Sequence, residues 1–422
     1  MSNYKSELMK TLTGRGFLYQ CTDEANLDAL AAKGGLRGYI GFDCTAPSLH
    51  VGSLVQIMML RILQKSGGRP IVLLGGGTTK IGDPSDKDKS RPILTPEKIE
   101  ENKNGIKKVF AKFLDFDGPN AAIMVDNADW LDKLGYIEFL RDIGKHFTVN
   151  KMVALESVKR RLDNEQPMTF LEFNYTLLQS YDYLELYRRH NCRLQLGGSD
   201  QWGNIVGGAD LTRRIEGGEV YGFTTPLITT ASGGKMGKTA EGARWLNGDP
   251  SLGKHFTLSP YDYWQFWRNT EDADVGKFLK LFTDLPLGEI AKLEALEGAD
   301  INQAKIRLAN EATTMLHGAD AAKSAEETAT KTFEQGGAAA GLPTFEIAKS
   351  ELASMTALSA GVFTGLCASN GEAKRHIKAG ALKINDEKVT DGGAALSADD
   401  VNADGVIKVS VGKKKHALIK PI

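Results

Sequence analysis

Gly38-Tyr39-Ile40-Gly41-Phe42-Asp43-Cys44-Thr45-Ala46-Pro47-Ser48-Leu49-His50-Val51-Gly52-Ser53 opens as a short apolar run and closes where an amphipathic stretch begins. Gly38 to Phe42 has the length and character of a buried strand. From Gly52 to Lys65 the apolar residues Leu54, Ile57, Met58, Leu60, Ile62 and Leu63 fit a helix, and a second apolar run, Pro70 to Gly77, follows. Strand, crossover helix and parallel strand are the start of a doubly wound α/β sheet. Two further runs, Ala121 to Asp126 and Cys192 to Gly198, predict more buried strands. Open sheets of this kind take ligands beyond the carboxyl ends of their strands. The segments after Phe42, Gly77 and Gly198 are therefore where chemistry is expected.

Beyond about residue 226 the pattern turns helical, with Tyr261 to Phe282 and Ala304 to His317 repeating apolar residues at three and four. Glu334 to Pro343 is glycine-rich with little to pack, which predicts a linker. A third unit, 351–422, carries ten Lys/Arg and eight Asp/Glu, whereas the first 350 residues carry 42 and 45. In it Ser369 and Glu372 have capping-box spacing, and the helix they begin stops at Gly380. Lys374, Arg375 and Lys378 point away from the Ala373 and Ile377 face of that helix. Strands Leu382 to Asn385, Val406 to Val411 and Ala417 to Ile419 follow, the last two joined through Gly412-Lys413-Lys414-Lys415-His416. A charge run alone is usually a solvated face; this clustering on a small α+β unit points to RNA.

The chain has 422 residues and 45.8 kDa, enough for two to four domains, and its 41% hydrophobic and 25% charged content is that of a folded protein. Net charge is -1, so a nucleic acid must be met by a local basic patch. Cys21, Cys44, Cys192 and Cys367 form no Cys-x-x-Cys pair, which argues against a zinc ribbon or redox dithiol, and no metal site is expected. With no apolar leader and no stretch of 18 uncharged apolar residues, a cytoplasmic location off the membrane is expected.

Thr45 and His50 fall between the first strand and its helix, where unpaired N–H groups favour phosphate. Taken alone, His50 reads as a capping or core histidine. Lys235-Met236-Gly237-Lys238-Thr239 sets two ammonium groups on a glycine-rich stretch that is otherwise a plain exposed loop. It is not a P-loop, because Ser232 stands where the first glycine is required.

Together, His50-Val51-Gly52-Ser53 and Lys235-Met236-Gly237-Lys238-Thr239 resemble the two signatures of class I aminoacyl-tRNA synthetases. Three more segments narrow the resemblance to the bacterial tyrosyl-tRNA synthetases over essentially the whole chain. They are Gly82-Asp83-Pro84-Ser85, Phe173-Asn174-Tyr175-Thr176-Leu177-Leu178-Gln179-Ser180-Tyr181-Asp182 and Gln195-Leu196-Gly197-Gly198-Ser199-Asp200-Gln201-Trp202-Gly203-Asn204. The resemblance implies a Rossmann-like catalytic domain with a dimerisation insertion over 1–225 and a signature loop with an anticodon-arm-binding helical domain over 226–335. A linker over 336–350 and an RNA-binding domain over 351–422, similar to one in a ribosomal small-subunit protein, complete the implied order.

It also implies roles. Tyr39 and Asp182 would hold the substrate phenol; Asp83, Tyr175 and Gln179 its ammonium; Asn127 and Gln201 would line the same pocket. Gly41, Asp43, His50, Gly52, Gly198, Asp200, Lys235, Met236, Lys238 and Thr239 would meet ATP. Thr45, His50, Lys87, Arg91, Lys235 and Lys238 would stabilise the departing pyrophosphate, with magnesium on the phosphates. Lys374, Arg375, Lys378, Lys413, Lys414 and Lys415 would bind tRNA, and the enzyme would be a homodimer.

Ser53 replaces the closing histidine of the first signature and Gly237 the central serine of the second. A serine donates one hydrogen bond and carries no charge. Two rivals stand beside this reading: a tryptophan-specific relative, with less use for Tyr39 and Asp182, and an inactive RNA-binding protein of the same fold.

Overall fold

The structure, a computed structural model, describes residues 3–84, 93–234, 236, 238–239, 242–252, 256–334, 342–402, 404–412 and 415–422. They fall into two compact units, Met1–Leu258 with Glu271–Ala304, and Ser259–Thr270 with Lys305–Ile422. No helix among the described residues is long and apolar enough to cross a membrane.

A six-stranded sheet organises the first unit: β1 (Gln20–Cys21), β2 (Arg37–Asp43), β3 (Arg69–Gly75), β4 (Ile123–Asp126), β5 (Leu194–Gly198) and β6 (Tyr221–Thr225), in the order β1-β6-β5-β2-β3-β4. β1 is antiparallel to β6 and every other pair is parallel. Strands covered on both faces need near-continuous apolar sequence. Ile71, Val72, Leu73 and Leu74 supply it in β3, where all four are buried. Helix α1 (Val51–Lys65) crosses from β2 to β3 and α2 (Pro96–Phe110) from β3 to β4, while α3 (Tyr175–His190) feeds β5 and α4 (Trp202–Glu216) returns to β6. α1 buries Leu54, Val55, Ile57, Met58, Met59 and Leu60 around most of its girth, as a helix sunk in a core does. From β2 the chain winds to β3 and β4 on one side, and β5 and β6 lie on the other. The crevice that such a reversal opens is between β2 and β5, at their carboxyl ends.

Several expectations are corrected in detail. The second strand ends at Gly75, because the amides of Gly76 and Gly77 donate to the Asp126 and Asn127 side chains and leave the ladder. β1 and β6 have no counterpart among the predicted strands: β1 has two residues, and β6 ends in the polar but buried Thr224 and Thr225. Tyr261 to Phe282 is two helices, α5 (Pro260–Arg268) and Val275–Phe282, rather than one. Asn269 Nδ2 folds back onto the Gln265 carbonyl at 2.7 Å and closes the first, in the way asparagine competes with helical hydrogen bonding. A short antiparallel pair, β7 (Lys238–Thr239) and β8 (Gly242–Ala243), follows the sheet in the same unit.

In the second unit α5 packs with α6 (Ile301–His317) and α7 (Ala319–Glu334). Trp264 Nε1 donates to Asn310 Oδ1 at 2.7 Å, and Asn310 Nδ2 to Glu326 Oε2 at 2.8 Å. Toward the carboxyl end a five-stranded sheet has the order β11-β10-β12-β13-β9, with β9 (Thr344–Ile347), β10 (Leu382–Ile384), β11 (Glu387–Lys388), β12 (Ile407–Val411) and β13 (Lys415–Pro421). β9 pairs parallel with β13, so this sheet begins inside the stretch expected as linker, 336–350. Alternate residues Ile407 and Val409 face Leu352, Ala360, Leu396 and Ile419 in a small core. Helices α8 (Ala357–Phe363) and α9 (Asn370–Lys378) cover it. Ser369 Oγ accepts from the Glu372 amide as the capping box requires, but Glu372 Oε2 takes the Ala368 amide at 2.6 Å instead of closing the box. Gly380 ends the turn with φ +64°, the left-handed conformation that a glycine adopts freely.

Candidate active site

The carboxyl ends of β2, β3 and β5, Asn127 just after β4 and the first turns of α3 surround a cavity of about 270 Å³. Tyr175, Gln179 and Asp182 are spaced four and three apart on α3, which puts them on one face, toward the cavity. Tyr39, Asp83, Asn127 and Gln201 line it as well, so all seven residues assigned to the amino acid meet in one place.

Its buried end is built around Asp182, 2% exposed. Trp130 Nε1 donates to Oδ1 at 2.8 Å and Asn127 Nδ2 to Oδ2 at 3.0 Å, fixing both oxygens. Burial nonetheless outweighs these donors and, with Asp43 and Asp126 nearby, pushes the Asp182 carboxyl up to about 7. Tyr39 lies beside it on β2, edge-on to Tyr183, its phenol driven well above the usual range first by burial and then by Asp182. The Tyr39 hydroxyl, Gln179 Oε1 and Gln195 Oε1 have no hydrogen-bond partner among the described residues. Buried polar atoms without partners are costly, and three at one cavity mark where a polar ligand docks.

A second set of hydrogen bonds ties this end to the strand tips. Asn127 Oδ1 accepts from the Gly77 amide at 2.8 Å, and Asn127 Nδ2 reaches Thr78 Oγ1 at 3.0 Å. Thr78 in turn donates to Asp43 Oδ1 at 2.8 Å, and the Tyr175 hydroxyl lies 3.4 Å from Asp43 Oδ2. Gln201 Nε2 bridges Asp83 and Asp200 at 3.1 Å each. These acids face a cavity that suits an ammonium and hydroxyl groups.

Thr45, His50, Ser53, Gly41, Asp43, Gly198 and Asp200 line the same cavity, with Trp245. His50 stands at the start of α1 and forms a β-bridge with Trp245, while Val51 donates to the Arg244 carbonyl and Leu246 to that of Leu49. The chain that follows the second signature thus runs back along the first. Gly52 and Met236 do not line the cavity. A Cβ on Gly52 would sit 2.7 Å from His50 Cε1 and 3.1 Å from the Met236 carbonyl, so the glycine makes room for the imidazole. Met236 is buried, with its amide on the Ile228 carbonyl. Gly41 meets nothing nearer than Leu73 at 3.7 Å, whereas a Cβ on Gly198 would strike Asp200 at 2.4 Å. Lys87, Arg91 and Lys235, and the side chains of Lys238 and Thr239, lie outside the described residues.

In the second unit, Lys374, Arg375 and Lys378 are exposed on α9, and Lys415 starts β13; Lys413 and Lys414 lie outside the described residues. Sequence reading missed Trp130, Thr78, Gln195 and Trp245. Gln195 carried a signal, since it opens one of the family segments and its strand partner in the register is Tyr39. Trp130 and Thr78 carried none.

Comparison with known proteins accounts for this arrangement. A family model described as tRNA synthetases class I (W and Y) matches residues 32–334, and one described as a Tyrosine--tRNA ligase SYY-like C-terminal domain matches residues 333–419. The tyrosine--tRNA ligase of Rhodopseudomonas palustris is 58% identical over 423 residues, covering 100% of both chains. That of Rhodospirillum rubrum is 59% identical over 422 residues, covering 100% of this chain and 99% of its own. A crystal structure of a C-terminally truncated mitochondrial tyrosyl-tRNA synthetase from Aspergillus nidulans is similar at TM-score 0.68 and 29% identity, covering 78% of this chain and 94% of that one. A tyrosyl-tRNA synthetase from Archaeoglobus fulgidus, complexed with L-tyrosine, shares the fold at TM-score 0.54 and 18% identity, covering 75% of this chain and 99% of that one.

Proposed function

Because the chain belongs to the class I tRNA synthetases for tryptophan and tyrosine, as a tyrosine-tRNA ligase, we propose that the cavity between β2 and β5 activates L-tyrosine and that the remaining parts bring tRNA to it. The observation that carries this reading is Asp182: a buried carboxylate held by Asn127 and Trp130, next to a Tyr39 hydroxyl with no partner among the described residues. A phenol satisfies both groups. Phenylalanine leaves them unpaired, a mode of rejection of which tyrosine-activating synthetases are the standard illustration. Asp83, Tyr175 and Gln179 take the ammonium, and Asp200 the ribose.

ATP enters as its magnesium complex, the metal being part of the substrate. The tyrosine carboxylate attacks the α-phosphorus; a carboxyl oxygen to phosphorus bond forms, the bond to the bridging oxygen of the β-phosphate breaks, and pyrophosphate leaves. No side-chain base is required, so the protein's contribution is in-line positioning and stabilisation of charge on the phosphate oxygens. Thr45 and His50 at the start of α1 supply donors there, and Lys87, Arg91, Lys235 and Lys238 supply cations. A ribose hydroxyl of the terminal adenosine of tRNA then attacks the tyrosyl carbonyl; the ester bond forms, the acyl-phosphate bond breaks, and AMP leaves.

The roles of the other parts are inferred in the same way. The helices around α5 and α6 meet the anticodon arm, and the exposed Lys374, Arg375 and Lys378 hold tRNA through its phosphates. Tyr136, Ile137, Val149, Phe170 and Leu171, all exposed apolar residues between β4 and α3, support a homodimer. The enzyme works in the cytoplasm, where its four free cysteines stay reduced. Tyr39→Phe tests the pocket. Tyrosine binding in equilibrium dialysis is expected to weaken by about 1 kcal/mol, roughly fivefold, with phenylalanine binding unchanged. An equal effect on both amino acids contradicts the phenol assignment.

A further inference from the structure

Behind the pocket, α2 sends consecutive side chains to two of the strand tips that build it. Asn102 Nδ2 donates to the Cys44 carbonyl at 2.8 Å, steadying the loop after β2. Lys103 Nζ lies 2.7 Å from Asp126 Oδ2, at the end of β4. Both members of this ion pair are largely buried, with side chains 14% and 20% exposed. Glu100 also contacts Lys103 but is itself exposed, and a solvated partner adds little.

Asp126 does more than balance Lys103. Its Oδ1 accepts the Gly76 amide at 3.1 Å and the Ala128 amide at 2.9 Å. The carboxylate is pressed so close to Gly76 that a Cβ there would sit 2.3 Å from it. Asn127, the next residue, takes the Gly77 amide and touches both Thr78 and Asp182. Two neighbouring side chains thus fix the turn at Gly76 and Gly77, and that turn aims Thr78 at Asp43.

We propose that Lys103 is a positioning residue for the amino-acid pocket: by pinning the Asp126 carboxylate on the Gly76 turn it sets where Asn127 and Thr78 hold Asp182 and Asp43. Without it, a largely buried carboxylate loses its cation beside two other acids and is drawn toward water. That loosens the grip on Gly76. Lys103 is not among the residues that line the cavity; its effect is felt chiefly through tyrosine, whose phenol meets Asp182 and whose ammonium meets Tyr175 beside Asp43, and less through ATP, which shares only Asp43. The inference rests on the tyrosine-activating reading.

The test uses the full-length chain in tyrosine-dependent exchange of pyrophosphate into ATP, with KM measured separately for the two substrates. Lys103→Met is expected to raise KM for tyrosine about tenfold and to change KM for ATP less than about twofold, with Lys103→Arg restoring most of the loss. An unchanged tyrosine KM, or an equal rise in both constants, overturns the proposal. Should Lys103→Met fail to fold, Lys103→Gln set against Lys103→Arg makes the same comparison. Wild type with no tyrosine-dependent exchange sinks the tyrosine-activating reading itself; active wild type with an indifferent Lys103→Met sinks only this inference.

Discussion

In the amino-acid pocket Asp182 is 2% exposed and each of its oxygens has a fixed donor, whereas Lys374, Arg375 and Lys378 stand in solvent on α9. Both regions are proposed to recognise a ligand through charge and hydrogen bonding, yet burial makes the physics different. A desolvated carboxylate acts on one atom of one substrate, is barely screened by salt, and punishes every misfit with unpaired polar groups. Exposed cations act through a summed field on phosphates, each weak, replaceable and sensitive to ionic strength. On the proposed reading, identity of the amino acid is therefore set in the first region, and the second contributes affinity for tRNA.

The sharpest way to break this contrast is Asp182→Ala, which strands the Asn127 amide and the Trp130 indole as well as the substrate phenol. Activation measured as kcat/KM for tyrosine is expected to fall on the order of 10²- to 10³-fold; a loss below about threefold means the pocket is not where selection occurs. Removing residues 342–422 asks the opposite question. The cut belongs before β9 rather than at residue 351, since Thr344–Ile347 would otherwise be left without its partner β13. Charging of tRNA is expected to drop about a hundredfold with activation unchanged, and unimpaired charging shows that the unit is dispensable.

A smaller effect comes from replacing Lys374, Arg375 and Lys378 together by alanine. KM for tRNA rises roughly tenfold and its dependence on salt becomes shallower, the logarithmic slope falling by about one for each phosphate no longer neutralised. Salt dependence that matches wild type places the RNA-binding surface elsewhere. The smallest effect is on pH. With its pKa raised to about 7, Asp182 takes a proton as pH falls through neutrality, and tyrosine affinity is expected to decline by at most about tenfold per unit below that point. The sign for stability is the reverse of the usual carboxylate. Between the ordinary value of 3.8 and about 7 the folded state holds this proton more tightly than the unfolded chain, so stability from this group declines as pH rises through that window. Melting curves of Asp182→Asn are expected to lack that decline.

How much of this was legible in the sequence depends on whether a residue faces the ligand or faces another residue. Tyr175, Gln179 and Asp182 were legible only through the family resemblance of the segment that carries them, whereas β2, β3, β4 and β5 announce themselves by apolar runs that end where chemistry sits. Trp130, Thr78 and Lys103 are silent, because their work is to hold Asp182, Asp43 and Asp126 across 52, 35 and 23 residues of chain, and no local pattern encodes such a partner. Gly52 reads in sequence as space for a nucleotide, and a glycine does not announce that His50 also packs against it. β9 hides at the end of a glycine-rich stretch because a four-residue strand owes its existence to β13, some 70 residues later.

The central claim, that the buried pocket chooses tyrosine before tRNA is involved, is tested most directly by exchange of labelled pyrophosphate into ATP without tRNA, run in parallel with tyrosine, phenylalanine and tryptophan. The account predicts exchange with tyrosine alone. Exchange supported by tryptophan, or by none of the three, contradicts it.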